Sequence, residues 1–396
     1  MSENQEVSDH KKNIFEAIDK NDVNTLKTLL VDKQDVNIFD ENFMTPLQHA
    51  AFKGNKDMTQ MLLDQGADVN FCRHQHGYTA LHFAGLSGNA EVCSLLLLAG
   101  ASSHVINSVG RTPSQMAAFV GHHSCVSTIN NFVPKSDIEY YTVPQGQQSK
   151  PSLPPFLADS FHRFVMQISI HPVRIVLNLQ RIAGLMDHLN EIHDVLELMC
   201  NKEMKRGNET NEVMSFKFHY LGSIVAEIIK LNKNQANSKK EQAANEEKKL
   251  DSLELLTRKL LKTGKDGNLD FMDAFLRETV RNFPFRECTI FRQMVTSLTS
   301  SDPPSALSIV ASAINGQRGF VDNVPMCSTC GEEKPAKKCS KCKVVQYCDR
   351  ECQRLHWFVH KKACTRLSQQ GIQTSVATKP DPSEITADMQ NLLVNN

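Results

Sequence analysis

Residues 40–70 read DENFMTPLQHAAFKGNKDMTQMLLDQGADVN, and two later stretches repeat the pattern: HGYTALHFAGLSGNAEVCSLLLLAGAS over 76–102 and SVGRTPSQMAAFVGHHSCVSTINNF over 108–132. Thr45, Thr79 and Thr112 recur at steps of 34 and 33 residues, Gly54, Gly88 and Gly121 keep the same steps, and Gly66 and Gly100 keep the first. The extra residue falls in FCRHQHGY, at an expected hairpin tip that tolerates insertion. An earlier stretch, IFEAIDKNDVNTLKTLLVDKQDVNIFD, reads as a degenerate capping repeat. A fixed period of this size marks a solenoid, in which no repeat can cover its apolar face alone. Thr45-Pro46 and Thr112-Pro113 predict helix starts, with proline where its missing N–H costs nothing. The glycines suit the tight turn between paired helices. Leu62, Leu63, Leu96 and Leu97 are spaced to bury between neighbouring pairs.

These residues resemble ankyrin repeats. The family tetrapeptide Thr-Pro-Leu-His is incomplete here, with Gln48 in the second repeat, Ala80 in the third, and Ser114 and Gln115 in the fourth. The departures bear on local hydrogen bonds, not on the fold. In the ankyrin register, seven residues beyond each threonine, Phe52, Leu86 and Phe119 occupy an inner-helix position on the concave surface. Phe83 and Met116 are expected to widen this apolar strip, with His74 and Tyr78 beside it toward the hairpin tips. Two readings of the strip stand: an external partner surface, or a face covered by the rest of the chain.

Around this core the chain has 396 residues, 44 Lys+Arg against 44 Asp+Glu, 40% hydrophobic residues and 12 cysteines. At this length more than one domain is expected, and the balanced charge argues against a bulk electrostatic grip on nucleic acid. No apolar run reaches the ~18 residues of a membrane span, and the polar N-terminus lacks a secretory signal pattern. A soluble, cytoplasmic protein is the expectation. Disulfides are rare in that compartment, so the clustering of seven cysteines between Cys327 and Cys364 points to metal.

The expected architecture is mainly α: an ankyrin solenoid over 13–133, a proline-rich linker over 134–155, a helical middle domain over 156–319, a small two-zinc finger over 327–364 and a disordered tail over 365–396. Pro134, Pro144, Pro151, Pro154 and Pro155 suggest the linker. Stretches such as VRIVLNLQRIAGLMDHL and VMSFKFHYLGSIVAEIIKL carry helical spacing. Between them and LDSLELLTRKLLK lies KNQANSKKEQAANEEKK, a solvated low-complexity loop or helical extension.

The cysteine cluster runs Cys327-x2-Cys330, Cys339-x2-Cys342, Cys348-x3-Cys352 and His360-x3-Cys364, eight donors in four pairs. That number suits two closed tetrahedral zinc sites with no open position for water, so the zinc is structural. The segment resembles a MYND zinc finger at every ligand position. The family interleaves its pairs, which implies Cys327, Cys330, Cys348 and Cys352 on one zinc and Cys339, Cys342, His360 and Cys364 on the other. A RING ligase also uses eight ligands, but its later pairs are usually spaced differently. His356 sits one turn from His360 and is surplus to the eight. With two zinc ions and seven thiolates the finger carries a net charge of about +2, which suits a peptide groove better than a DNA backbone. MYND fingers dock proline-containing peptides by strand-like pairing. Gln353 and Trp357 stand in the family's ligand-contact region, though Trp357 equally fits a core position, and purely structural zinc is the plainer alternative. Pro151-Ser152-Leu153-Pro154-Pro155 matches a Pro-x-Leu-x-Pro ligand pattern or is simply a stiff spacer.

No phosphate loop or His-Glu-x-x-His motif is present. Gly121-His122-His123-Ser124-Cys125 only faintly echoes a methyltransferase substring and falls on an ankyrin turn. The chain is therefore read as no enzyme. From Ile14 to Cys364 it resembles the family of ankyrin repeat and MYND domain-containing proteins. That resemblance implies an adaptor that delivers membrane guanylyl or adenylyl cyclases and related signalling receptors to the primary cilium. The alternative is a nuclear co-regulator that reads proline motifs through its finger.

Overall fold

Each repeat starts where a threonine caps a helix. Thr45, Thr79 and Thr112 accept from the backbone N–H three residues on, and the side chains of Gln48, His82 and Gln115 return the bond to the threonine N–H. These reciprocal boxes satisfy otherwise orphaned donors. The computed structural model describes residues 2–30, 36–207, 210–241, 251–264, 267–316 and 324–374. Four helix pairs form the stack: α1 (Ser2–Asp19) with α2 (Val23–Leu29), α3 (Pro46–Lys53) with α4 (Lys56–Asp64), α5 (Ala80–Ser87) with α6 (Ala90–Leu98), and α7 (Pro113–Val120) with α8 (His123–Asn130). Gln48, where the family tetrapeptide has histidine, and His82, which keeps it, both bond to the next hairpin. Gln48 Nε2 donates to the carbonyls of Phe71 and Tyr78 at 3.0 and 2.9 Å, and His82 Nε2 lies 3.1 Å from the Arg111 carbonyl. Asn70 ties its hairpin to the next, donating to the Gly100 carbonyl at 3.0 Å and accepting from Ser102 N–H at 2.8 Å. Gly88 ends α5 at φ +78, where a Cβ would meet the His122 ring at 2.7 Å, so this turn admits only glycine. Leu62, Leu96 and Leu97 are buried, and Leu63 packs partly exposed on the same core.

Residues 134–155, expected as an extended linker, are pinned to the fold at three buried side chains, while 143–150 are mostly exposed. α9 (Lys135–Glu139) and a following 3-10 turn bury Ile138 and Tyr141. Leu153 is fully buried, and its N–H donates to the Tyr141 carbonyl at 2.9 Å. The proline pattern is thus neither a free spacer nor an available peptide, because its leucine is a core residue. Replacing Leu153 by alanine is expected to cost about 2–5 kcal/mol of stability, read by denaturant unfolding. A Leu153→Ala chain as stable as the wild type would contradict this packing.

The helical body follows as α10 (Ala158–Val165), α11 (Pro172–Arg181), α12 (Leu189–Met204), α13 (Glu212–Glu241), α14 (Ser252–Leu261), α15 (Asp270–Arg281), α16 (Thr289–Leu298) and α17 (Ala306–Asn315). Its spine is the pairing of α12 with α13, which buries Ile192, Val195, Leu196 and Met199 against Leu221, Ile224, Val225 and Ile228. Within this apolar run sits Lys217, itself fully buried. Its ammonium donates to the Val165 carbonyl at 2.6 Å, and burial alone pulls its pKa from 10.5 down to about 7. One turn on, the Tyr220 hydroxyl donates to the Ile170 carbonyl, so both polar groups clamp the loop between α10 and α11.

The stack and body form one compact unit, Met1–Leu256 with Phe271–Val321. They are joined by asparagines. Asn130 donates to the Ile314 carbonyl at 3.2 Å, Asn131 to Asn315 Oδ1 at 2.8 Å, and Asn315 to the Ile168 carbonyl at 3.0 Å. The body therefore closes the end of the stack at α8, through α17, rather than the concave face. A second unit comprises Thr257–Asp270 and Asp322–Asn396, so residues 257–270 group with the finger rather than with the middle domain as expected. There β1 (Lys337–Lys338) pairs antiparallel with β2 (Gln346–Tyr347) ahead of α18 (Arg350–Thr374). The tail expected to be disordered from 365 is helical through Thr374, and residues 375–396 lie outside those described. Among the described residues no helix is long and apolar enough to cross a membrane.

Candidate functional site

Two Cys-x2-Cys turns open the finger. In each, the residue after the second cysteine takes a left-handed backbone and returns its N–H to the first cysteine's carbonyl: Gly331 to Cys327 and Lys343 to Cys339, both at 2.9 Å. This curls both sulfurs toward one point. Cys348 and Cys352 flank the start of α18, while His360 and Cys364 lie one turn apart farther along it. Cys327, Cys330, Cys348 and Cys352 gather in one place and Cys339, Cys342, His360 and Cys364 in another, each set with ligand atoms within 4.8 Å of one another. The interleaved pairing implied by the resemblance is the one the fold makes.

The spacings test the identity of the ion. Zinc–sulfur and zinc–nitrogen bonds of ~2.3 and ~2.0 Å in a tetrahedron place sulfurs ~3.8 Å apart and sulfur ~3.5 Å from nitrogen. Cys330 Sγ lies 3.5 and 3.8 Å from those of Cys348 and Cys352, and Cys339 Sγ lies 3.8 Å from that of Cys364. His360 Nε2 is 3.5 Å from Cys342 Sγ and 3.3 Å from Cys339 Sγ. These are tetrahedral edges, far too long for disulfides. Hydrogen bonds from Cys330 and Cys352 hold the Cys327 thiol far below its usual range. At Cys339 burial opposes ionisation, yet the Cys342 N–H and the His360 ring outweigh it and bring the thiol to about 6. The thiols of Cys330, Cys348, Cys352 and Cys364 are raised instead, by burial and by their neighbouring thiols, so a bound cation is what would hold all seven as the thiolates that ligate metal. The clusters are two zinc sites with all four positions filled by protein, so their ions hold structure and leave no place for a substrate.

His356 belongs to neither set. It stacks on His360 with ring centroids 6.0 Å apart and hydrogen-bonds the Tyr347 hydroxyl through Nδ1 at 3.1 Å. Burial lowers its pKa and keeps it neutral. Trp357 is 41% exposed and so is not core, with its ring 6.0 Å from that of His360. Gln353 is half-buried on the same helix.

On the concave side of the stack the structure divides the expected strip. Phe52 and Phe119 are 51% and 70% exposed, and Leu86 is half-buried. Phe83 and Met116 do not widen the surface; they are buried beneath it. Residues three apart share a helix face, so at Phe83 the reason is cover by neighbouring rings and not a different face. Phe83 is ringed by Phe52, His74 and Tyr78, with centroids 5.4–5.9 Å away. Sequence reasoning missed Arg111, whose guanidinium lies 4.1 Å from the centre of the Phe119 ring. Its place eight residues before an exposed aromatic, in the preceding hairpin, was the available signal.

Comparisons with known proteins match two separate parts of the chain. Residues 14–107 match the family described as ankyrin repeats (3 copies), and residues 327–364 match the MYND finger. The palmitoyltransferase ZDHHC17 of Danio rerio is 44% identical over 75 residues, 19% of this chain and 12% of that protein. Human transient receptor potential cation channel subfamily A member 1 is 34% identical over 118 residues, 29% of this chain and 10% of the channel. Both share only a short region. The Dauer abnormal formation protein 25 of Caenorhabditis elegans is 31% identical over 391 residues, 96% of this chain and 97% of that protein. Matching over nearly its whole length, the chain belongs to the ankyrin-repeat and MYND-finger family of Dauer abnormal formation protein 25.

Proposed function

We propose that this protein is a non-enzymatic adaptor that delivers membrane cyclases and related signalling receptors to the primary cilium. Its ankyrin face holds the client and its finger takes a proline-containing peptide near Gln353 and Trp357. Ankyrin repeats and MYND fingers are both protein-interaction modules, and the chain carries them on separate compact units. The observation that carries the reading is the pair Phe52 and Phe119. They remain exposed on inner helices while the helical body seals the stack elsewhere. Exposed aromatics on such a face are what a protein partner covers.

Replacing Phe52 and Phe119 together by glutamate is expected to abolish client binding and leave the melting temperature nearly unchanged. In ciliated cells lacking the protein, fluorescently tagged guanylyl or adenylyl cyclase should fail to reach the cilium, with rescue by wild type and not by the double variant. A variant that loses stability would show the strip to be core. One that rescues fully would remove the strip from the mechanism. Nuclear enrichment with unchanged ciliary cyclase would favour a co-regulator instead.

A further inference from the structure

Between Asp68 and Asp137 the sequence contains a single carboxylate, Glu91, while the same stretch holds Arg73, Arg111, Lys135 and six histidines. Glu91 begins the outer helix α6 and is paired with Lys56 at 2.9 Å. The inner helices α5 and α7 carry no acidic residue. The last two repeats thus present an inner surface without negative charge. Burial lowers the pKa of His74 and His82, so these two add little cation at neutral pH.

Arg111 is held in place on this surface. Its N–H donates to Asn107 Oδ1 at 2.9 Å, and its carbonyl is tied to His82. The guanidinium lies against the Phe119 ring and has no carboxylate partner among the described residues. Stacking fixes its plane and leaves its N–H edge able to take a carboxylate with two parallel bonds. Beside it stand apolar groups open to a partner: Phe119 and, in the hairpin, Val109 at 65% exposure.

We propose that this face binds a polypeptide segment presenting carboxylates beside large apolar side chains, with Arg111 and Phe119 as the pair that reads it. The inference rests on the ankyrin face being the client face and adds the chemistry of the client. Charge complementarity selects this occupant. A basic segment would meet only like charge. Two arginines are too few to grip a phosphate backbone, and they would add only about 1 kcal/mol each at an anionic bilayer.

The test uses the full zinc-loaded chain and displayed random dodecapeptides, selected against wild type and against Arg111→Gln, Arg111→Lys and Phe119→Ser variants of unchanged melting temperature. Wild type should enrich Asp or Glu next to Phe, Leu or Trp. A selected peptide should lose about tenfold in affinity on Arg111→Gln, and less on Arg111→Lys, which keeps the charge without the fork. Phe119→Ser should weaken the acidic peptide and its amide analogue alike. Selection without acidic enrichment overturns the proposal, and so does acidic enrichment that persists in Arg111→Gln. Vesicles containing phosphatidylserine form a separate arm; retention that requires Arg111 would assign the site to lipid phosphate and overturn it also. Cyclase delivery that persists while acidic selectivity is absent would sink this inference alone. Loss of the adaptor reading with selectivity intact would sink only that reading.

Discussion

Replacing Cys348 by serine is expected to unfold the finger while the ankyrin stack and helical body keep their cooperative melt. The serine hydroxyl is a poor zinc ligand. The finger has little else to hold it: its sheet is two residues long on each strand, and its buried side chains are mostly the ligands themselves. Structural zinc contributes about 10–16 kcal/mol per site, more than a segment this small gains from burial. The two sites share α18, so loss of one loosens the helix that carries ligands of the other. Elemental analysis should find two zinc ions per wild-type chain and fewer in Cys348→Ser. Chelation should reproduce the variant's unfolding. A wild-type chain with fewer than two zinc ions, or a variant that keeps both, would break the eight-ligand assignment.

The second large effect is a pH dependence set by Lys217. Its folded pKa is about 7 against an unfolded value near 10.5, with burial as the cause. Below the folded value both states are protonated and the group adds no slope. Between the two values the unfolded chain binds the extra proton, so stability rises with pH. Across the whole window the gain is about 5 kcal/mol. Lys217→Met removes this rise, along with the bond to the Val165 carbonyl. The difference in unfolding free energy between wild type and variant should therefore move in favour of the wild type from pH 7 to 10. A flat difference would mean that the ammonium stays charged in the fold.

Where the chain's constraints are local, its sequence reveals them. The repeat step, the capping threonines and the eight zinc donors all act over a few residues or at fixed spacing, and each is found where the pattern placed it. Burial set by distant elements is not written in this way. The prolines of 134–155 suggested an exposed connector because nothing local shows that Leu153 meets Tyr141. Phe52 and Phe83 lie at different repeat positions on the same inner-helix face, and it is the neighbouring hairpin that covers Phe83. Lys217 left a trace, a cation inside SFKFHYLGSIV, but periodicity alone would have given it a solvated edge.

Repeat arrays commonly change length by duplicating a unit, and each added unit extends the binding face. At the α8 end of this stack that route is closed. Asn130 and Asn131 are committed to Ile314 and Asn315, and Gly316 approaches Val126 so closely that even a Cβ would sit 2.8 Å from its methyl. A fifth repeat inserted there would have to displace α17 from the body's core, where Ile309, Val310 and Ile314 are buried. The number of repeats is therefore fixed from this side, and a longer inner face would need a repeat added elsewhere in the stack.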